Sequence, residues 1–419
     1  VIVFGDFMGW SNPYGNILGT FGNPNFIGSF LGIFFSAYVA FSLKKDSSKL
    51  FRYSLLVILP LTAFEIYKSH AIQGRVVAAL GVGIIGFLLV RANLSKMFSV
   101  AYLMFAIVIG LFALLGALQI GPMTKYVYKT SVSLRGQYWL AGWNTGKDHP
   151  LSGIGMDSFG DWYRRSRDVR ALELPGVNTV VNAAHNVPMD LFAFGGWPLL
   201  LTYLLIMGFA GLAAIRTIAR KKDFDAILAV MFTAWAGYQL QSLISINQIG
   251  LAIWGWILSG SLIAYERTTR PPRLEITTSA AKKSTGRKTD NYQPFTVMLA
   301  VFGGLVGLIV SLPPLASDSK WRNAQMAQSA PAIEETMKSN YMNLQNSTKY
   351  LTNIQNLESS NLFELSHKYA LEAVLWNPES FELWKVLYLI KNSNPDEKER
   401  ALANMKRLDP LNPDVTSTK

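Results

Sequence analysis

The chain has 419 residues, of which 50% are hydrophobic and only 16% are charged, and its mean hydropathy is +0.22. This composition is too apolar for a soluble domain of that length, so it predicts an all-α, polytopic membrane protein. The formal net charge of +12 does not indicate nucleic-acid binding, because the basic residues lie in short clusters between apolar runs, where they set topology and contact anionic membrane lipids. The absence of cysteine excludes disulfides and thiolate metal sites.

Eight apolar runs approach the roughly 20 residues that a membrane-spanning helix needs. They lie at 26–43, 52–68, 75–91, 97–118, 188–213, 224–244, 249–265 and 295–316. Clusters of Lys and Arg near 44–52, 91–96, 216–222 and 267–288 alternate with them, and the positive-inside rule places all four clusters in the cytoplasm. Residues 69–74, 119–187 and 245–248, and everything after 316, are then expected outside. The first run would enter from the outside, so we expect further spans ahead of Val1.

Composition divides the chain into four parts. We expect a membrane core at 1–265 with a long extracytoplasmic loop at 119–187, a basic cytoplasmic linker at 266–294, a final span at 295–316 and an extracytoplasmic helical domain at 317–419. In the last part, Asn-Pro and Asp-Pro pairs occur at 377, 394 and 409, and the separation from Pro378 to Pro410 or Pro413 is close to the repeat of about 34 residues of a tetratricopeptide unit. One or two such units, or an unspecific helical cap, are the two interpretations.

The loop 119–187 contains residues suited to binding a sugar phosphate. Arg135 and Trp139 are four residues apart, which places them on one face of a helix. An aromatic ring stacks on a sugar, and a guanidinium binds phosphate oxygens as a bidentate fork. The alternative is that Arg135 contacts lipid headgroups and that Trp139 belongs to the interfacial aromatic belt. Arg75, at the outer beginning of the third apolar run, is a further candidate for binding an anion.

His185 lies between this loop and the next apolar run, and it is the strongest candidate for proton transfer. Asn186 and Pro188 predict the start of a helix, with Asn as the cap and Pro in the first turn. The positive end of that helix would favour an anion. The alternative is a histidine that only binds a backbone carbonyl in a turn. No His ligand spacing and no Walker-type loop occurs, so neither a metal nor another cofactor is expected.

Together these segments resemble the O-antigen ligase and polymerase family, the WaaL and Wzy-C group of bacterial envelope glycan transferases. The matching parts are Gly22-Asn23-Pro24-Asn25, Gly74-Arg75, Arg135 with Trp139, the sequence Pro-Leu-Ser-Gly-Ile-Gly at 150–155 with Phe159, and His185-Asn186 followed by Gly195-Gly196. The family often has a Glu shortly before that glycine, where this chain has Phe194. Asp190 is the nearest substitute as a carboxylate partner of the histidine.

The resemblance implies a GT-C-like helical bundle in the bacterial inner membrane, with its active face outside. It would transfer a glycan from an undecaprenyl pyrophosphate donor to an acceptor hydroxyl. His185 would deprotonate the acceptor, while Arg75 and Arg135 would stabilise the pyrophosphate leaving group without a metal. Trp139 and Asn186 would help to bind the substrates. A ligase, a polymerase and a protein O-oligosaccharyltransferase differ in their acceptor, and the resemblance leaves the three open.

Two other classes of protein share parts of this pattern. A lipid-linked glycan transporter or flippase would have a similar number of spans and anion-binding arginines, but its spans would be charged or broken near the midplane. An envelope scaffold would recruit a protein partner through its C-terminal helices and use the bundle as an anchor. That function would leave the Arg, Trp and His residues of the loop without a role.

Overall fold

The structure is a computed structural model that describes residues 19–117, 121–122, 130–271, 294–327 and 329–417. Throughout these residues the regular secondary structure is helical, and no β-strand occurs among them, which confirms the all-α prediction. The chain divides into two compact units, Val1–Pro272 and Arg273–Lys419. Most of the predicted linker 266–294 lies outside the described residues, so the predicted domain limits stay a prediction.

The described part of the first unit contains nine α-helices. They are α1 (Pro24–Ser42), α2 (Lys49–Lys68), α3 (Ile72–Asn93), α4 (Lys96–Ala117), α5 (Thr130–Asp148), α6 (Phe159–Ser166), α7 (Val187–Arg220), α8 (Ala226–Ser242) and α9 (Ile249–Thr268). In the second unit the described helices are α10 (Pro294–Ala327), α11 (Ala330–Met337), α12 (Ser347–Ser359), α13 (Phe363–Trp376), α14 (Phe381–Leu389), α15 (Pro395–Leu408) and α16 (Pro413–Thr416).

Seven of the described helices are long and apolar enough to cross a bilayer, namely α1, α2, α3, α4, α7, α9 and α10. The chain is therefore a multi-pass membrane protein. The eighth predicted span, 224–244, forms α8, whose 17 residues are the lower limit for crossing a membrane, and its spanning stays a prediction. Both α7 and α10 run to 34 residues and extend beyond the apolar runs that predict them.

Helices α1 and α3 approach each other closely because glycines line their contact. A Cβ atom on Gly74 would lie 2.4 Å from the Gly28 carbonyl oxygen, and one on Gly32 would lie 2.5 Å from the Gly74 carbonyl oxygen. Small residues of this kind allow membrane helices to pack backbone against backbone. The glycine of the Gly74-Arg75 pair therefore serves helix packing, and it fixes the start of α3 against α1.

Ion pairs and hydrogen bonds join the C-terminal ends of α3, α7 and α9, where the basic clusters predict the cytoplasmic face. Arg91 donates to the Lys221 carbonyl at 3.0 Å, which caps the end of α7. Arg220 of α7 pairs with Glu266 of α9 at 3.1 Å, and Lys221 pairs with Asp225. Glu266 is buried, so its carboxylate needs these partners. The network fixes the ends of the bundle that lie away from His185.

The second unit has its own core, formed by buried residues of α11 to α16. Lys349 is buried there, and its ammonium donates to Ser317 Oγ at 2.8 Å and to Asn343 Oδ1 at 2.9 Å. These bonds tie the C-terminal part of α10 to the segment before α12. The helices α12 to α15 follow one another within this core, and the predicted tetratricopeptide-like units are not confirmed.

Candidate active site

The start of α7 has the cap that the sequence predicts. Asn186 is the N-cap residue, and its Oδ1 accepts a hydrogen bond from the Met189 N–H at 3.0 Å. Pro188 occupies the first turn, as predicted. The same Asn186 side chain donates through Nδ2 to the Leu243 carbonyl at 2.9 Å, so it also joins α7 to the end of α8. Asn186 therefore fixes the chain immediately after His185.

The imidazole of His185 packs against the ring of Tyr138, which belongs to α5. The two ring centroids are 5.5 Å apart, with an angle of 32° between the planes. His185 is half-buried, and its ring makes no hydrogen bond or ion pair with another described residue. Its φ of +57° lies in the left-handed region, where non-glycine residues are uncommon. The two ring nitrogens are thus available to a substrate.

Arg135 lies on α5, one helical turn before Tyr138, and its charge acts on His185. Burial, followed by the positive charge of Arg135, lowers the pKa of His185 to about 4. Arg135 is itself half-buried, which lowers the pKa of its guanidinium, and it makes no hydrogen bond or ion pair with a described residue. The structure therefore brings together two of the predicted site residues, a neutral imidazole and an unpaired guanidinium.

Trp139 is also on α5, but its ring packs into the apolar cluster beneath the site. This cluster contains the buried side chains Tyr138, Phe159 and Tyr163, against which Trp139 is partly buried. The Trp139 Nε1–H is buried without a hydrogen-bond partner among the described residues. Trp139 and Arg135 share a helix as predicted, and the role of Trp139 in binding substrate stays a prediction.

Arg75 lies at the same end of the bundle as His185. Its neighbour Gln73 donates to the Ile244 carbonyl at 3.3 Å, while Asn186 donates to the adjacent Leu243 carbonyl. The start of α3 and the start of α7 are thus joined to one connector, between α8 and α9. The Arg75 side chain is exposed, and within the described residues no hydrogen bond joins it to His185.

The predicted pairing of Asp190 with the imidazole is wrong. Asp190 is buried in the first turn of α7, and its Oδ1 accepts the Ala184 N–H at 2.6 Å. It makes no hydrogen bond with His185. Because the chain turns at His185, the carboxylate reaches the backbone before the histidine rather than its ring.

Helix α7 is interrupted at Gly195 and Gly196, where the backbone leaves the helical conformation. The interruption exposes carbonyls that a helix would satisfy, and segment 150–155 supplies their donors. The N–H groups of Ile154 and Gly155 donate to the Ala193 and Phe194 carbonyls, each at 3.0 Å. In return, the Trp197 N–H donates to the Pro150 carbonyl at 2.8 Å.

Two glycines make this pairing possible. A Cβ atom on Gly196 would lie 2.2 Å from the Pro150 carbonyl oxygen, and one on Gly153 would lie 2.2 Å from the Phe194 carbonyl carbon. Both residues also have a positive φ, of 62° and 63°. The motif Pro-Leu-Ser-Gly-Ile-Gly and the Gly195-Gly196 pair therefore form one structural unit, which fixes the first part of α7 relative to α5 and α6.

Three residues of this region were not predicted from the sequence. They are Tyr138, the buried Arg164 of α6, and the buried Arg167, which follows α6. Tyr138 is three residues after Arg135, so helical spacing alone places it near that guanidinium. Arg164 and Arg167 are each only 4% exposed, and both donate to the Val177 carbonyl, at 3.3 and 2.7 Å. The adjacent Tyr163 is fully buried, and burial is the main cause that raises its pKa to about 12. Nothing in the sequence distinguishes these arginines from exposed ones.

A comparison with protein families identifies a similarity in part of this bundle. Residues 55–204 match the family model described as O-antigen ligase. This segment, less than half of the chain, is similar to the O-antigen ligase family. It extends from α2 into α7, and it contains Arg75, Arg135, Trp139, His185 and Asn186, so the resemblance to the family is confirmed. The second unit lies outside the O-antigen ligase match, and no curated protein matches the chain.

The match supports a membrane enzyme of the ligase or polymerase type, a family that uses a glycan donor and an acceptor in the membrane. Among the described residues no group of three or more His, Asp or Glu side chains could hold a metal ion. The Arg135 guanidinium at this site could stabilise negative charge.

Proposed function

We propose that this protein transfers a glycan from an undecaprenyl pyrophosphate donor to an acceptor hydroxyl in cell-envelope polysaccharide synthesis. The site would face outwards from the bacterial inner membrane. The observation that carries the proposal is the pair formed by the His185 imidazole and the Arg135 guanidinium, neither of which has a hydrogen-bond partner in the described part of the chain. A base and a cation close enough to interact electrostatically fit a reaction that removes a proton and releases an anion.

In the proposed reaction, His185 takes the proton of the acceptor hydroxyl as its oxygen attacks the anomeric carbon of the donor sugar. The bond between that carbon and the pyrophosphate oxygen breaks, and its electron pair leaves with the pyrophosphate. Arg135 binds the leaving phosphate oxygens, and Arg75 provides a second positive charge at the same end of the bundle. Pyrophosphate is already a good leaving group, so the reaction needs no metal when guanidinium groups meet the developing charge.

The lowered pKa of His185 suits the start of this reaction. With a pKa of about 4, the imidazole is neutral at pH 7 and ready to accept a proton. When the donor binds, its pyrophosphate brings negative charge next to Arg135 and opposes the effect of that guanidinium on the imidazole. An opposite charge nearby favours the protonated form, so His185 becomes a stronger base once the donor is in place.

The acceptor is a lipid or a glycan in this proposal, and a protein hydroxyl would undergo the same chemistry. Trp139 and Asn186 border the site and would contact the substrates. The second unit offers a folded helical surface through which an envelope protein partner could bind. The domain match, the unpaired guanidinium and the neutral imidazole support the enzyme over a scaffold.

A lipid-linked glycan transporter is the second candidate, and the interruption of α7 is the observation in its favour. Transporters often bind their substrates where a membrane helix is broken near the midplane. In α7, however, the part after Gly196 still has 24 residues, from Trp197 to Arg220, which is enough to cross a bilayer. The interruption therefore separates a short segment next to His185 from a complete span, which favours transfer at the membrane surface.

The proposal is tested by changing His185 to alanine in the purified protein. We expect His185→Ala to lower the rate of glycan transfer by about 10² to 10⁴-fold, the usual effect of losing a general base. Binding of the lipid-linked donor should be retained, because the phosphate contacts come from arginine. The matched control is His149→Ala, since His149 packs against Trp162 with ring centroids 4.6 Å apart and has no contact with His185.

Near-normal transfer by His185→Ala would remove His185 from the mechanism. Donor binding without any transfer activity in the wild type would instead support the transporter.

A further inference from the structure

His185 has a backbone conformation that needs support from its neighbours. Its φ of +57° lies in the left-handed region, which side chains with a Cβ atom adopt at a cost in free energy. Such a conformation persists where surrounding contacts over-determine it. The contacts made by the residues on either side of His185 therefore show what holds its imidazole in place.

Asp190 contacts the chain on both sides of the histidine. Its Oδ1 accepts the Ala184 N–H at 2.6 Å, and its own N–H donates to the Asn186 carbonyl at 2.8 Å. Both Asp190 and Ala184 are buried, with exposures of 3% and 0%. The hydrogen bond between them is thus shielded from water, and it closes the turn that contains His185.

This carboxylate does not act on the imidazole directly. No hydrogen bond joins Asp190 to His185, whose ring packs instead against Tyr138. The acceptor that the Ala184 N–H requires is an oxygen, and the side-chain oxygen of an asparagine meets that requirement as well as a carboxylate oxygen does. The hydrogen bond that Asp190 accepts therefore does not depend on the charge of its carboxylate.

We infer that Asp190 is a positioning residue, which holds His185 against Tyr138 by accepting the Ala184 N–H, and that its negative charge is not required. This inference rests on the proposed function for its kinetic test, because that function assigns the proton transfer to His185. It is independent of that function for its structural test, which follows the accessibility of the His185 ring.

Two substitutions distinguish the hydrogen bond from the charge. Asp190→Asn keeps an oxygen for the Ala184 N–H and removes the charge, so we expect the transfer rate and its dependence on pH to stay close to those of the wild type. Asp190→Leu has a similar size and no acceptor. A displacement of catalytic groups by about 1 Å lowers rates about 10²-fold, and we expect a fall of this size in kcat, with the KM for the donor little changed.

The accessibility of His185 is measured with diethyl pyrocarbonate, which modifies neutral imidazoles, and with mass spectrometry of the peptide that contains residue 185. In wild type and Asp190→Asn, labelling of His185 should be equally slow, because the ring is half-buried against Tyr138. In Asp190→Leu the turn loses its closing bond, so labelling should become faster. The other three histidines of the chain serve as internal references.

A matched control removes Asp225, the N-cap residue of α8. It lies at the opposite end of α8 from Leu243, which Asn186 contacts. Asp225 accepts the N–H groups of Ile227 and Leu228 at 3.0 and 3.1 Å, so Asp225→Leu deletes a carboxylate that accepts backbone N–H groups, together with its ion pair to Lys221. Asp225 lies about 27 Å from Leu243 along the helix, at about 1.5 Å per residue. We expect this variant to be less stable than the wild type and yet to label His185 at the wild-type rate.

Two results would overturn the inference. The first is Asp190→Asn as slow as Asp190→Leu while His185 labels normally, which would assign the carboxylate charge to the chemistry. The second is normal labelling and transfer in Asp190→Leu. If Asp190→Leu does not insert into the membrane, the result rests on Asp190→Asn: retained transfer supports the inference, and lost transfer overturns it. If His185→Ala proves active, the proposed function fails, and the labelling of His185 still tests the position of its ring.

Discussion

At the scale of single residues, the environment of His185 determines how activity depends on pH. Burial and the nearby Arg135 charge lower its pKa to about 4. The neutral form is the base, so activity is complete above this pKa and is lost as the pH falls through it. We expect kcat/KM, which reports the free enzyme, to stay level from neutral pH down to about pH 5 and to halve near pH 4.

The pH dependence of the Arg135→Ala variant tests whether the Arg135 charge lowers the pKa of His185. Arg135→Ala removes the like charge, so the acid limb of its residual activity should move to higher pH, towards the ordinary histidine value of about 6.5. A wild-type limb that already lies near this ordinary value would contradict the burial of the imidazole.

Arg135 also gives a prediction about the shape of its head group. We expect Arg135→Lys to impair transfer nearly as much as Arg135→Ala, because an ammonium cannot bind two phosphate oxygens as a planar fork. Transfer rates of the two variants, measured after confirming equal insertion, test this. Arg91→Lys, at the other end of the bundle, is the matched control, since Arg91 donates to the backbone carbonyls of Lys221 and Ala219. Full activity of Arg135→Lys would reduce Arg135 to a contact with lipid headgroups.

At the scale of secondary-structure elements, the pairing between segment 150–155 and the interruption of α7 is the feature most sensitive to substitution. Gly196→Ala would place a Cβ atom against the Pro150 carbonyl at a positive φ. We expect it to lower stability by about 1–3 kcal/mol, the usual cost of a strained backbone position, and to lower transfer as well. Thermal unfolding in detergent measures the first effect.

The control for this substitution lies in the same helix. Gly208 of α7 has nothing within 4 Å of the position of its missing Cβ atom. Gly208→Ala should therefore be neutral or stabilise the protein by up to about 1 kcal/mol, through the better helix propensity of alanine. Equal unfolding temperatures for the two variants would show that the interruption tolerates a side chain.

At the scale of the whole molecule, the absence of cysteine makes the topology directly measurable. We expect Lys147→Cys and Glu399→Cys to react with an impermeant thiol reagent in intact cells, and Lys45→Cys to remain unlabelled until the membrane is opened. All three positions are exposed, so a cysteine there is accessible to the reagent. The neighbouring Gly146 is unsuitable, because a side chain at that position would meet the Phe192 ring at 2.3 Å. Labelling of Lys45→Cys alone would invert the orientation and place His185 on the cytoplasmic side.

Much of this protein follows from its sequence because the relevant forces are local. Apolar runs of about 20 residues determine that the chain enters a membrane, and Asn186 with Pro188 determines where α7 begins, since a cap needs only its own first turn. The motifs around Arg75, Arg135 and His185 are sufficient to suggest the family, because their order along the chain is itself the signal.

Only the tertiary structure decided which of these residues meet. Arg135 and His185 are 50 positions apart, and the packing of α5 against α7 brings the Arg135 charge to bear on the imidazole, while Arg75 has no such effect on it. The role of Asp190 and the pairing of segment 150–155 with α7 could not be predicted from the sequence for the same reason. Each depends on backbone groups left unpaired by a turn or an interruption, and such groups take whichever partner the folded chain places within hydrogen-bond distance.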